Sequence, residues 1–476
     1  MIKLIKIELF KIFHKKSIYI ILSISLIFCF LNNYLYWKDY DDNGFYKYED
    51  NTNLNKQKES IKKELTQYDY HNSSDLSTYI NLKTKYELIE IKLKYPKNSW
   101  QYRKADEYLY NTIYNKEKNI TNYRETIKEY NNNNWKYFLN KEKELKEEEL
   151  NNITKEKNNI QDKSIIKELN TKKESLNTDL YLIKYRLKNN ISEDKTYLDN
   201  AINKYREYKN SIKYYQEKDH LTRKELIDYQ TAKEGYYINE YILKNKKNIN
   251  KENTTNNQLR NIISDYELFI VLLIIITSST IICDEFNSGT IKLLLIKPYS
   301  RVKILLSKYL TCLIILLLSI IFIVTIQLII GSIFFKDNNL SLPVVAYHHG
   351  LNKLVTYSIW KYMLINISYK LPMLILILTI TFSISVLFTQ ITVSLVLSLL
   401  LYLSSTTIDY IALKYNIKWL KYLLTTNWNL IDYSYGKLKE YSYTNFNFSL
   451  IVITTYFIVV LIITIINFNK KNIKNI

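Results

Sequence analysis

The residues of this 476-residue chain best placed for directed chemistry lie in one charged, glycine-hinged stretch, CDEFNSGTIKLLLIKPYSRVKILLSKYL, from Cys283 to Leu310. Asp284 and Glu285 sit where an apolar run ends, with Phe286 next to them. Gly289 permits a sharp turn, and the Thr290 hydroxyl can cap whatever helix follows. Ile291, Leu294, Leu295 and, past Pro298, Val302 offer an apolar stripe, whereas Lys292, Lys297, Arg301 and Lys303 supply a basic face. A short amphipathic helix of this kind, wedged between two apolar runs, lies flat at a membrane surface. Its chemistry is electrostatic and mechanical: it presents charges to a soluble partner that can push on it.

Bond-breaking chemistry finds no comparable support. The six glycines never form GxxxxGK[ST], so the chain is expected to have no phosphate loop and no ATPase site of its own. Cys29, Cys283 and Cys312 fall in or beside apolar runs, which argues against both a disulfide framework and a CxxC metal site. His348 and His349 are chain neighbours in an outer loop and read as solvated, and the acids of Glu147–Glu149 read as a solvated helix face. No metal and no cofactor is expected. The net charge of +20 is spread along the chain with no zinc-finger or RNP-like motif, so nucleic acid is not an expected partner. Abundant Lys, Asn, Ile and Tyr point to an AT-rich genome as one source of that charge. Residues 38–265 carry only about +6 of it, so the excess flanks the apolar runs.

Those runs must position the charged stretch. The mean hydropathy of −0.20 averages apolar ends with a polar middle. A helix needs about 20 apolar residues to cross the hydrocarbon, and six segments qualify: Ser17–Trp37, Tyr266–Cys283, Ile304–Phe335, Leu371–Phe388, Ile391–Ile408 and Phe448–Phe468. The first reads as a retained signal-anchor, since it is long for a signal-peptide core and no small-residue cleavage site follows. Lys3, Lys6, Lys11, Lys15 and Lys16 before it, and Lys470, Lys471 and Lys474 after the last, place both termini in the cytoplasm of a multi-pass cell-membrane protein. Residues 284–303 are then inside, and 38–265 and 410–447 outside, although five lysines between Lys414 and Lys439 speak weakly against the last placement. Trp37, Trp360 and Trp419 fall near span ends, as interfacial aromatics do. Within the spans ionisable groups are expected only at the edges, at Lys370 and Asp409, so the energy for any transport must come from elsewhere.

Residues 1–16 form a second amphipathic element, with Ile2, Ile5, Leu9, Ile12 and Phe13 on one face; Leu4 and Ile7 interrupt the pattern. The region 38–265 has almost no Pro or Gly punctuation and reads as helical. Leu82, Tyr86, Ile89 and Leu93 step at helical spacing, as do Leu176, Leu180, Ile183 and Leu187. Thr222 with Glu225, and Ser264 with Glu267, read as capping boxes. Asn131–Asn134 and Asn250–Asn257 read as loops, and a helix through Asn140–Asn190 would reach on the order of 60–75 Å. The expected fold is therefore an all-α membrane protein. Residues 1–16 are a cytoplasmic helix, 17–37 the first span, 38–265 an extracellular, partly coiled-coil helical domain, and 266–476 a bundle of five spans.

The order E-F-N-S-G-T-I-K-L-L-L-I-K-P-Y-S-R (Glu285–Arg301) closely resembles the coupling-helix region of ABC-2-type ABC transporter permeases. The six-span plan extends that resemblance over about half the chain. Y-R-L-K-N-N-I (Tyr185–Ile191), D-Y-Q (Asp228–Gln230) and Y-Y-I (Tyr236–Ile238) look, more weakly, like the extracellular helical insert of some Gram-positive members. The resemblance implies a permease subunit, an exporter, that partners a separate ABC ATP-binding subunit and dimerises with a second permease subunit, identical or related. It implies that Asp284, Glu285, Phe286, Gly289, Thr290, Lys292, Pro298 and Arg301 contact the ATPase, with Gln390, in the turn at Thr389–Gln390, as a second contact. Tyr410–Asn447 corresponds to re-entrant helices at the outer gate; Trp419-Leu420 and Tyr422–Leu424 are apolar enough to dip into the bilayer surface.

Two other readings stay open. In one the chain is a membrane-anchored surface protein whose coiled-coil region binds a partner; in the other it is a secondary transporter. Six spans are excessive for an anchor, and both rivals leave the coupling-like segment unexplained.

Overall fold

The computed structural model describes residues 1–40, 52–68, 76–106, 128–129, 132–158, 160–291, 299–336 and 338–471. In chain order its helices are α1 (Ile2–Phe13), α2 (Lys16–Asp39), α3 (Thr52–Leu65), α4 (Leu76–Lys94), α5 (Trp135–Asn158), α6 (Lys163–Asn189), α7 (Tyr197–Gln216) and α8 (Arg223–Asn245). Then follow α9 (Thr255–Asp265), α10 (Glu267–Asn287), α11 (Arg301–Phe334), the hairpin β1 (Val344–His348) and β2 (Lys353–Tyr357), α12 (Ile359–Phe388), α13 (Ile391–Lys414) and α14 (Phe446–Lys470). Two 3₁₀ helices, Lys418–Tyr422 and Leu430–Gly436, precede α14.

Six of these helices, α2 and α10 to α14, are long and apolar enough to cross a bilayer. Their outward faces carry bare Ile24, Leu31, Ile321, Leu400 and Ile451. A water-soluble surface does not tolerate so many contiguous apolar residues, and lipid does. The chain is a multi-pass membrane protein.

The chain divides into two compact units, one of Met1–Phe45, Lys218–Glu234 and Ile249–Ile476, the other of Tyr46–Glu217 and Gly235–Asn248. The boundaries of these units differ from the 38 and 265 expected for the insert. Residues 249–265 belong to the bundle unit because the Asn-rich stretch, expected to be loop, caps and enters α9. Thr254 accepts from the Asn257 N–H, and buried Asn256 donates to the carbonyls of Asn339 and Leu342. Leu259, Ile262 and Ile263 then sink into the bundle core.

In the bundle the α12 helix begins twelve residues before the expected Leu371, where Ser358 caps it by accepting from the Lys361 N–H. Polar Lys361, Asn366 and Lys370 hide this start from a hydropathy scan, and Pro372 sits inside the helix. The Ser264/Glu267 capping box does not form. Ser264 lies within α9, and Glu267 instead accepts from Lys370 Nζ at 2.6 Å and Tyr402 Oη at 3.3 Å. Lys370 is thus buried three turns inside its helix rather than at an edge. Asn33 and Gln327 exchange side-chain amide hydrogen bonds of 3.2 and 2.9 Å between α2 and α11, with Cys29 and Tyr266 donating to the same Gln327 oxygen. Such bonds tie helices where lipid supplies no hydrophobic drive.

The second unit is built from antiparallel neighbours. Lys146 pairs with Asp179, Glu149 with Lys172, and Lys157 donates to Asn170, so the partner number falls along α5 and the two helices run in opposite directions. The expected long helix over Asn140–Asn190 is therefore folded into a hairpin, its return started by Asp162 accepting from the Ser164 N–H. Arg186 with Asp199 and Lys213 with Glu174 do the same for α6 and α7. Leu176, Leu180 and Ile183 are buried, as are Leu82 and Ile89 in α4, so the helical stripes read from spacing are core-facing. A separate core gathers Leu88, Ile89, Trp100, Ala105 and Phe138.

Candidate functional site at the paired helix ends

α1 meets the bundle through Leu4, Glu8 and Ile12, spaced by four so that they share one face. The expected face of Ile2, Ile5, Leu9, Ile12 and Phe13 is corrected: Ile2 and Phe13 are exposed, and Leu4, which interrupted that pattern, is buried. An interfacial helix has two apolar sides, one toward protein and one toward lipid, and periodicity alone does not tell which is which.

A carboxylate on a buried stripe demands partners. Glu8 finds Lys308 of α11, whose Nζ lies 3.0 Å from Glu8 Oε1 and 2.7 Å from Glu285 Oε1 at the end of α10. Lys308 also donates to the Ile281 carbonyl at 3.2 Å. Lys11 Nζ closes the cluster, 2.7 Å from Glu285 Oε1 and 3.5 Å from Glu8 Oε1. The four formal charges cancel. Lys308 is 0% exposed, Glu8 4% and Glu285 5%, so water does little to screen these three, whereas Lys11 closes the cluster from its exposed side. Burial alone would lower the Lys11 ammonium; the hydrogen bond to Glu285 and the charge of Glu8 outweigh it and hold it above its ordinary value. Lys15 Nζ pairs with Asp284 Oδ2 at 2.5 Å, beside the same junction.

One atom is left over. Glu285 Oε2 is buried without a hydrogen-bond partner, at a cost of about 1–3 kcal/mol for an unsatisfied buried group. A cleft of about 190 Å³ opens there, lined by Glu8, Lys11, Asp284, Glu285, Ser288 and Thr290.

The remaining residues singled out in the sequence gather at this end of the bundle. Phe286 is buried, with Lys471 Nζ 5.1 Å from its ring centroid. Lys471 also donates to the carbonyls of Val386 and Leu387, at the end of α12, next to the turn at half-buried Thr389 and exposed Gln390. Arg301 begins α11 and donates to the carbonyls of Asn469 and Lys471. Gly289 adopts φ +69°, with open space where a Cβ would stand. The Thr290 hydroxyl shares a 2.9 Å hydrogen bond with Ser288. Lys292, Lys297 and Pro298 lie outside the described residues.

Glu8 and Lys308 escaped the sequence reading. The expectation that span interiors hold no ionisable group is corrected by Lys308, two turns into α11. Its signal is a lone lysine in an apolar run, with Glu285 at the end of the run before it. The solvated reading of the histidine pair is also corrected: His348 ends β1, and the His349 side chain is 5% exposed and 3.8 Å from Glu234 Oε2.

The geometry defines the class: a multi-pass membrane protein with six span-length apolar helices among the described residues, in which α1 is clamped by charge to α10 and α11. Residues 227–474, just over half of the chain, match the family described as "Protein of unknown function (DUF2705)", and the chain belongs to that family. It is 28% identical over 263 residues to the "Uncharacterized protein YhcI" of Bacillus subtilis (strain 168), covering 53% of this chain and 81% of that protein. No solved structure matches.

Proposed function

We propose that the chain is the permease subunit of an ATP-driven ABC-2-type transporter, an exporter, acting with a separate ATP-binding subunit that hydrolyses the ATP and with a second permease subunit across the bilayer. In this reading both termini and residues 284–303 face the cytoplasm, and residues about 38–265, with coiled-coil packing among their helices, lie outside. The supporting observation is the cluster of Lys308, Glu285, Glu8 and Lys11. It binds α1 and both helices flanking the Glu285–Arg301 segment into one piece. A push on that segment therefore reaches two spans and the N-terminal helix together, and the spare oxygen of Glu285 gives the cluster a second arrangement to adopt.

Gly289→Pro tests this. Proline requires φ near −65°, which the +69° turn forbids, and it removes the N–H that donates to the Phe286 carbonyl at 3.2 Å, so the change remodels the turn. Co-expressed with an ATP-binding subunit from its own gene neighbourhood, the variant should insert like wild type, since the turn lies outside the apolar helices, but lose association with that subunit or lose substrate-stimulated ATPase activity. Wild-type association and transport would refute the role. Glu285→Lys is a poorer test, because it breaks the buried cluster.

A further inference from the structure

At the other end of the same unit lies a cavity of about 510 Å³, walled by the first half of α8, the corner after β1, the end of α13 and the 432–441 segment. Its volume falls in the usual range for small-molecule sites. The walls are pinned. Arg223 Nε donates to the Lys439 carbonyl at 3.0 Å, the Leu438 N–H donates to Gln230 Oε1 at 2.9 Å, and the His349 N–H donates to the Tyr435 carbonyl at 2.8 Å.

The charges around it are unequally spent. Five carboxylates line the cavity against three lysines. Two of those lysines are engaged: Lys437 Nζ stands 2.9 Å from Glu234 Oε2, and Lys439 Nζ is 3.5 Å from Asp432 Oδ2 while donating to the Thr426 carbonyl at 3.0 Å. Lys224 is exposed at the rim. Burial would raise the Glu234 carboxyl; the charge of Lys437, 2.9 Å away, opposes this, and the carboxyl lies below its ordinary value. Asp409 is half-buried and has neither a hydrogen bond nor an ion pair within 4 Å. His349 provides the independent sign. Its side chain is nine-tenths buried, its ring packs edge-on against Tyr347 at 5.1 Å, and its Nε2 has no hydrogen-bond partner. The 3.8 Å to Glu234 is too long for a hydrogen bond.

We propose that this cavity binds an amphipathic organic cation, whose ammonium or guanidinium group pairs with Asp409 and donates to His349 Nε2. Leu413 and Tyr441 offer contact to its apolar body. An organic cation is favoured over a metal ion because, among the described residues, no three His, Cys, Asp or Glu side chains stand close enough to hold one. The site does not depend on the permease reading; it requires only the bundle unit.

The test uses the full chain in lipid nanodiscs, with tryptamine as the cationic probe and N-acetyltryptamine as its uncharged counterpart, both measured by isothermal titration calorimetry. Tryptamine should bind at least tenfold more tightly than N-acetyltryptamine. Asp409→Asn should erase that difference, and His349→Phe, which fills the space without the nitrogen, should weaken tryptamine binding at least threefold. Equal affinity of the two probes for the wild-type chain would overturn the proposal even if a variant failed to fold, and so would undiminished tryptamine binding by a folded Asp409→Asn.

Discussion

Lys308 Nζ and Glu285 Oε1 lie 2.7 Å apart, and both side chains are buried. Removing one member of a buried ion pair strands the other, at a typical cost of about 3–5 kcal/mol. Lys308→Met should therefore lower the melting temperature steeply, because two carboxylates then share only Lys11. Lys308→Met with Glu8→Gln restores the charge balance and should recover a large part of the loss. Cys29, Cys283 and Cys312 are all buried, so a thiol-reactive dye reports unfolding without labelling the native state. Equal melting of wild type and Lys308→Met would contradict the clamp.

Gln327 accepts hydrogen bonds from Asn33, Cys29 and Tyr266 at one oxygen. Gln327→Leu keeps the apolar volume but leaves the Cys29 and Tyr266 donors and Asn33 Oδ1 without this partner, whereas Asn33 Nδ2 keeps the Cys29 carbonyl; each buried group left unsatisfied costs about 1–3 kcal/mol. The same dye assay should show a clear destabilisation, larger than for Ser332→Ala on an exposed face of the same helix. A difference of zero would mean that the donors find other partners in the bundle.

Gly436 has φ +73°, and a Cβ there would meet the Gly350 backbone nitrogen at 2.6 Å. Backbone cannot step aside as a side-chain tip does. Gly436→Ala should therefore loosen the contact between the 435–437 turn and the corner after β1. Faster hydrogen exchange at the His349 amide, which donates to the Tyr435 carbonyl, is the expected readout; unchanged protection would count against the close approach.

Glu225 accepts from Lys218 and from the Thr222 N–H, and these hold its carboxyl down at about 2, against an ordinary 4.5. A carboxyl held lower in the folded state contributes stability that is complete above about 4.5 and is lost as the pH falls toward about 2. The first turn of α8 should fray over that window. Hydrogen exchange corrected for its intrinsic pH dependence, compared with Glu225→Gln, checks it: the variant should be frayed already at neutral pH and insensitive to acid.

Asn152 and Ser288 are both exposed. In the proposed orientation, Asn152→Cys should react with an impermeant maleimide on intact cells, whereas Ser288→Cys should react only after permeabilisation. Labelling of Ser288→Cys from outside would reverse the orientation.

The six spans, the Thr222/Glu225 capping box and the buried faces of α4 and α6 were legible in the amino-acid sequence. Each is a local property. An apolar run of about 20 residues spans a bilayer whatever its neighbours do, a capping box closes over three residues, and a helical stripe repeats every three or four. The start of α12 was hidden because interior polar groups such as Lys370 look like solvated ones until Glu267 is seen opposite. Charge partnership was decided only by tertiary structure. Glu8 and Lys308 are 300 residues apart in the sequence (308 − 8), and Asn33 and Gln327 are 294 residues apart. A buried charge or amide must be matched, but composition does not say by which residue. Helix packing chooses the partner, and in doing so it turned a lysine in an apolar run and an acid on an interfacial helix into the joint of this molecule.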